Sequence, residues 1–150
     1  MKLQEILMVK GSAVRSISPE ATLQEVVRTL VEHRIGSLVV CRLDSEGSEE
    51  LVGIITERDI LHCCGAGNKP LTEIRVAEAM STTLFTGTPD DEVEQVMGLM
   101  TTRRIRHLPV LAEGRLAGII SIGDVVKAQH DRLAMENRFM KDYIGTEHER

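Results

Sequence analysis

Two short segments of this chain place a glycine, a hydroxyl and a carboxylate at the same spacing. Gly53-Ile-Ile-Thr56-Glu-Arg58-Asp59 and Gly118-Ile-Ile-Ser121-Ile-Gly-Asp124 share glycine, two apolar residues, a hydroxyl residue, two variable positions and aspartate. The apolar run reads as a buried strand that passes directly into a helix. Thr56 and Ser121 then stand at the N-cap, where a hydroxyl accepts a backbone N–H. The remaining free N–H groups and the positive end of the helix dipole suit an anion. A carboxylate three residues on can accept two hydrogen bonds from a vicinal diol, as dinucleotide folds do with a ribose beside a phosphate-binding helix start. The alternative is that Asp59 and Asp124 serve only as caps. A reciprocal capping box ordinarily uses Glu or Gln at this position, because the longer chain reaches back. Asp in both segments leaves the two readings open.

A second group lies at Arg104-Ile-Arg106-His107-Leu-Pro109-Val110. Arg106 and His107 stand just before a strand, where alternate side chains reach opposite faces. The planar guanidinium fork matches phosphate oxygens. The matching residues in the first half are Gly36 and Ser37, small and neutral, so two phosphate environments built this way are unequal. Taken alone, Arg106 and His107 read as a solvated strand edge. His62-Cys63-Cys64 invites a metal or redox reading. Adjacent cysteines do not easily share one tetrahedral ion, and no second Cys/His cluster has ligand spacing, so no metal is expected. Cys63 and Cys64 read as helix-end thiols and Cys41 as core. There is no phosphate loop of the G-x-x-x-x-G-K-[ST] type, no nucleophile with a credible base, and no paired carboxylates in one motif. The expectation is a protein that is not an enzyme.

The elements that hold these residues come in two copies. Residues 19–40 recur without a gap at residues 89–110, an offset of 70, keeping Pro19/Pro89, Val26/Val96, Arg34/Arg104, Ile35/Ile105, Leu38/Leu108 and Val40/Val110. The glycine-to-aspartate segments follow at an offset of 65, the five missing residues coming out of the loop between. Two copies of one small unit, neither able to bury a full core alone, imply sites built where the copies meet. Each copy reads as strand, helix, strand, strand, helix. The first strands fall at residues 14–17 and 84–86. Leu23, Val26, Val27 and Leu30, then Val93, Val96, Met97 and Met100, follow the i, i+3, i+4, i+7 spacing of a one-faced helix. Thr22-x-x-Glu25 reads as a capping box and Asp91-x-x-Glu94 as its counterpart. Strands follow at residues 37–41 and 51–55, and at 107–111 and 116–120. An acidic loop at 42–50 separates the first pair and a tight Glu113-Gly114 turn the second. Residues 76–80 read as a short lead-in helix echoing residues 3–7. The segment 65–71 reads as the linker. A final helix carries a stripe at Leu133, Met140 and Ile144, suited to a helix–helix contact or to packing on its own domain. The boundaries are 1–66 for the first repeat with its lead-in, 67–79 for linker and second lead-in, 80–130 for the second repeat and 131–150 for the tail.

Composition narrows the class. The chain has 150 residues, a net charge of −5 and a pI near 5.6, which argues against broad nucleic-acid binding. Aromatics are 2% and Trp is absent, so stacking platforms for single strands are missing too. No apolar run reaches membrane-spanning length, and the first residues lack a signal peptide's apolar stretch. Three cysteines, two of them adjacent, suit reduced thiols. The expected location is the cytoplasm.

Together the motifs S-P-x-x-T-L, H-R-I-G-S-L-V-V, G-I-I-T-E-R-D-I, R-R-I-R-H-L-P-V and G-I-I-S-I-G-D-V resemble a tandem pair of CBS domains, the module that forms a Bateman unit, here of the small stand-alone bacterial type. The resemblance spans about residues 14–64 and 80–129. It implies a mixed α/β fold of tandem βαββα repeats related by a pseudo-twofold axis, with two clefts that hold an adenine nucleotide. AMP is the expected ligand, with ATP, ADP, NAD and S-adenosylmethionine as alternatives. Carried over by motif, Thr56 and Asp59 hold ribose and phosphate, and the base lies against residues 84–88, among them Thr86 and Thr88, and the second-strand start that includes Pro109. Ser121 and Asp124 do the same against Ser16 and Ile17 and against Ile35, Gly36, Ser37 and Leu38. Arg58, Arg106 and His107 reach the phosphates. The Asp124 cleft departs from the family at Gly36, Ser37 and Gly123, which bears on how it holds a highly charged ligand. The implied role is a ligand-sensing regulatory homodimer acting on an unidentified protein. The competing readings are an interaction module with empty clefts and, more remotely, a thiol redox sensor through Cys63 and Cys64.

Overall fold

The two long strands of the first half carry their buried residues as a block, not in alternation, because both faces are covered. In the computed structural model, which describes residues 1–11, 13–67 and 69–148 with side chains through 142, β2 (Ser37–Leu43) buries its first five residues outright. It pairs in parallel with β1 (Ser16–Ile17) and antiparallel with β3 (Glu49–Thr56). The acidic loop is shorter than its composition suggests. Asp44 accepts from the N–H groups of Glu46 and Ser48 and closes a turn at Gly47, so both strands run on to meet it. α2 (Leu23–His33) starts at Thr22, whose hydroxyl accepts from Glu25 N–H, and buries Leu23, Val26 and Leu30. α3 (Glu57–Ala66) leaves β3 without a connecting residue and takes in the start of the expected linker; Asn68 of that linker lies outside the described residues.

The second half repeats this with two differences. α5 (Val93–Arg103) begins after Glu92, the positional match of Thr22, and has no side-chain cap. Asp91 is therefore not the counterpart of the capping box; it accepts instead from Thr88 N–H and Thr88 Oγ1. β4 (His107–Ala112) and β5 (Arg115–Ser121) form a two-stranded sheet, and residues 84–86 form no strand. Only Gly87 pairs with Val110. Pro109 stands where Val39 stands in the first half, and without an N–H it cannot extend the pairing to the Phe85 carbonyl, the next acceptor along from Gly87. Glu113 and Gly114 both take positive φ in the expected tight turn. β5 feeds α6 (Ile122–His148), one continuous helix where the sequence suggested a second helix beyond Val126. Leu133 and Met140 are exposed on it, and the side chain of Ile144 lies outside the described residues.

The halves exchange their lead-in helices. α1 (Leu3–Lys10) packs Leu3, Ile6 and Leu7 into the core of the second half, against Val93, Val96, Met100, Leu108 and Ile120. α4 (Val76–Ala79), after a 3₁₀ turn at Leu71–Glu73, puts Val76 into the core of the first half beside Ile74, which ends that turn, against Leu23, Val26, Leu38 and Ile55. The exchange is reciprocal in its hydrogen bonds. Leu3 N–H donates to Asp91 O and Val76 N–H to Ala21 O; Gln4 N–H donates to Pro89 O and Ala77 N–H to Pro19 O. The two glycines that open the chemical motifs permit this approach. A Cβ on Gly53 would stand 2.9 Å from Ser81 O, and one on Gly118 would stand 2.5 Å from Leu7 Cδ2.

Candidate functional site

A cavity of about 720 Å³ lies between the halves, within the range that small-molecule ligands occupy. It brings together Thr56, Glu57, Arg58 and Asp59 at the start of α3, Ser81, Thr83, Leu84 and Phe85 in the segment ahead of α5, residues 103–107 at the end of α5 and the start of β4, and Ser121 to Gly123 at the start of α6. Two helix N-termini therefore face one space. Arg58, Arg103, Arg104 and Arg106 line it against the carboxylates of Glu57 and Asp59. A chain of net charge −5 thus keeps a basic cleft. Arg103 also sits over the Phe85 ring, 5.5 Å from its centroid, which fixes a planar cation beside an apolar wall. Arg104 takes the left-handed conformation that ends α5, as Arg34 does after α2, and the turn carries the following residues straight into β4.

At the start of α3 the reciprocal capping box is closed by aspartate after all. Asp59 Oδ2 accepts from Thr56 N–H at 2.9 Å and from Thr56 Oγ1 at 3.1 Å, while Asp59 N–H donates to Thr56 Oγ1 at 3.4 Å. The short side chain reaches because it bonds the N-cap residue itself. Capping nevertheless engages one oxygen. Asp59 Oδ1 makes no hydrogen bond among the described residues, and the side chain is half-buried at the cavity wall. The anion-binding expectation narrows as well. Glu57 N–H donates to Gly36 O, so among the first N–H groups of α3 only that of Arg58 is left for a ligand among the described residues. Phosphate recognition here depends on the arginines more than on the helix end.

The second motif has the same backbone and a different charge environment. Asp124 Oδ2 accepts from Ser121 N–H at 2.8 Å, and Asp124 N–H donates to Ser121 Oγ at 3.0 Å. Lys10 Nζ, from the last turn of α1, lies 2.6 Å from the same oxygen and also donates to Ile119 O at 2.8 Å. Burial alone would raise the Asp124 pKa. The Lys10 hydrogen bond, the Ser121 N–H and the Lys10 charge outweigh it and bring the carboxyl below its ordinary value. His107 sits between the two motifs. A Cβ on Gly36 would lie 3.6 Å from its Nε2 and 3.1 Å from Glu57 Oε1, so glycine at this position leaves both side chains their room. Burial first, then the charges of Lys10 and Arg106, lowers the His107 pKa; Glu57 and Asp124 pull the other way without reversing the shift.

Of the residues singled out in the sequence, Thr56, Arg58, Asp59, Gly36, Arg106, His107, Pro109 and Ser121 line the cavity. Asp124, Ser16, Ile17, Ile35, Ser37, Leu38, Thr86 and Thr88 do not. Leu38 is fully buried in the first core, Ser37 is buried, and Thr88 is held by Asp91. Ile35 and Gly36 border a separate apolar groove of about 470 Å³ between α2 and α3. Glu57 and Arg103 line the main cavity without having been expected there, and Phe85 lines it within the expected 84–88 segment although it was not singled out. Arg103 adjoins the arginine-rich motif, and Phe85 is one of only two phenylalanines. Cys41 is buried, Cys63 half-buried and Cys64 exposed. Among the described residues no cluster of His, Cys, Asp and Glu is arranged to hold a metal, and no helix is long and apolar enough to cross a membrane.

The CBS domain family model matches this chain twice, over residues 4–65 and 76–131. The chain belongs to the CBS-domain family. A CBS-domain relative, the mitochondrial CBS domain-containing protein CBSX3 of Arabidopsis thaliana, is 38% identical over 132 residues, covering 84% of this chain and 63% of that protein. The chain thus spans less than two thirds of that relative's length. Among solved CBS-domain structures, the protein ATU1752 of Agrobacterium tumefaciens is 37% identical with a TM-score of 0.78, covering 86% of this chain and 99% of that one. The CBS domain pair of protein MJ0100, solved with 5′-methylthioadenosine and S-adenosyl-L-methionine, shares the fold at 24% identity and a TM-score of 0.74, over 88% and 98% of the two chains.

Proposed function

We propose that this CBS pair is a regulatory module that binds an adenine nucleotide in the cleft at Asp59 and passes on its occupancy as a shift in the arrangement of the two halves. The observation that carries the reading is the state of Asp59. It is a half-buried carboxylate with one oxygen held by its own helix start and the other without a partner among the described residues, beside Arg58 and in a cavity shared with Arg103, Arg104 and Arg106. A free carboxylate oxygen suits a sugar diol, the guanidinium forks suit phosphate, and the wall of Ile54, Leu61, Leu84 and Phe85 suits a purine face. The halves hold each other's lead-in helices, so a ligand that touches both α3 and residues 81–85 favours one arrangement over another. Such a shift is bounded by the ligand's difference in affinity between arrangements. AMP is the expected ligand, with ADP, ATP, NAD and S-adenosylmethionine sharing its adenosine. That the CBS pair of MJ0100 was solved with two adenosine-containing compounds supports this ligand class for the fold. The role is regulatory and not catalytic, in the cytoplasm, as a homodimer acting on a protein partner still to be identified.

The test is isothermal titration of native protein and Asp59→Ala with AMP, ATP and NAD. Native protein is expected to bind at least one of them, and the variant to bind it at least tenfold more weakly while melting as a folded protein. If native protein takes up none of the three, the adenine-nucleotide reading is wrong. If Asp59→Ala binds as well as native, the role given to the carboxylate is wrong.

A further inference from the structure

The two lead-in helices correspond residue by residue at an offset of 73. Leu3 and Val76 are both fully buried, Glu5 and Glu78 each accept the N–H at their own helix start, and Leu7 and Met80 each press on a motif glycine. The match places Lys10 opposite Thr83. Thr83 lines the open cavity at Asp59, whereas Lys10 is bonded to Asp124. The helices also end differently. α4 stops at Ala79 and the chain continues extended, so that Ser81 pairs with Ile54 in both directions, Ile54 N–H to Ser81 O at 3.0 Å and Ser81 N–H to Ile54 O at 2.9 Å. α1 winds on for another turn. Met8, the counterpart of Ser81, makes no such pairing and is 80% exposed, as Val9 is at 88%. The Ile119 carbonyl, counterpart of that of Ile54, accepts the Lys10 ammonium in place of a backbone N–H.

We propose that Lys10 is a latch that closes the second of two nucleotide clefts, and that this cleft opens when the last turn of α1 unwinds and residue 8 pairs with Ile119 as Ser81 pairs with Ile54. The inference rests on the reading of the aspartates as ribose ligands. An ammonium 2.6 Å from Asp124 Oδ2 competes with a sugar hydroxyl for that carboxylate, and the helical turn that carries it fills the place where residues 81–83 form a wall at the first site. The hinge is present. Gly11, directly after the turn, has a φ of 97°, a conformation that other residues rarely adopt. The native chain therefore holds one nucleotide, in the Asp59 cleft, and a second only when α1 yields.

Equilibrium dialysis with AMP on the full chain tests this. Native protein is expected to bind one equivalent, Lys10→Met two, Lys10→Met with Asp124→Asn one, and Lys10→Arg one. Amide exchange at residues 8–10 is expected to accelerate in Lys10→Met and stay at the native rate in Lys10→Arg. Two equivalents on native protein, or one on Lys10→Met, would overturn the latch while leaving the nucleotide reading intact. No AMP binding by either protein would overturn the latch as an AMP latch, and the same result with ATP and NAD would overturn the nucleotide reading with it. Unchanged exchange at residues 8–10 in Lys10→Met would overturn the unwinding step.

Discussion

Leu3 is the residue at which the exchange of lead-in helices can be measured. It begins α1, is fully buried, and packs in the core of the second half, not beside the strands that follow it in the chain. Leu3→Ala removes three carbon groups, worth about 0.8 kcal/mol each in transfer alone. The space left behind adds to this, and buried Leu→Ala changes cost about 2–5 kcal/mol. A loss of about 3 kcal/mol is a large share of the roughly 5–15 kcal/mol by which a folded domain is stable. Chemical denaturation should show the midpoint falling. The more telling assay is native-state hydrogen exchange. A loss of about 3 kcal/mol in local opening energy corresponds to a protection loss of roughly a hundredfold. That loss should fall on α5, β4 and β5. Val76→Ala should have the mirror effect on α2, β2 and β3, since Val76 is fully buried in the first core. Preferential loosening of the first half by Leu3→Ala would refute the exchange.

The two motif glycines should differ in tolerance. A Cβ on Gly53 meets the Ser81 backbone carbonyl, whereas one on Gly118 meets the end of the Leu7 side chain, so Gly53→Ala should cost about 1–3 kcal/mol in thermal or denaturant melts and Gly118→Ala less; the reverse order would contradict the packing described. For His107 the folded-state pKa lies below its unfolded value, through burial and the charges of Lys10 and Arg106. The unfolded chain then binds the proton more readily, so this group's share of stability is full above the ordinary imidazole pKa and declines as pH falls through it. Native protein should lose stability from about pH 7 to pH 5, and His107→Gln should lose less over that interval; identical pH profiles would dispose of the argument.

The repeat was readable because identical residues recur at fixed offsets, and with it came the strand–helix order and the placing of Thr56 and Asp59 at a helix start. Three things were not readable. Which core a lead-in helix completes is a matter of tertiary approach; Leu3 and Val76 look alike in any window, and only long-range contacts such as Leu3 with Val93 and Val76 with Leu23 show that the helices cross over. The Lys10–Asp124 pair joins residues more than a hundred positions apart, and nothing local to either marks it. The capping question could be settled only by geometry. The shorter side chain of aspartate leaves capping and diol binding both open in the sequence, and the structure shows its carboxylate meeting the N–H of the N-cap residue at 2.9 Å in α3 and 2.8 Å in α6. At Asp91 the spacing pointed to a cap and the repeat offset pointed to Glu92; the offset was the better guide.

Reciprocal donation of α1 and α4 also bears on ancestry and on engineering. A solitary copy with these contacts would lack the helix that seals it, and would have to borrow one from a neighbour by pairing with itself. Joining two copies in tandem turns that bimolecular bargain into an intramolecular one, independent of concentration and set by the tether. Fragments cut near residue 70 should accordingly be poor folders apart and recover when mixed, each supplying the other's missing segment.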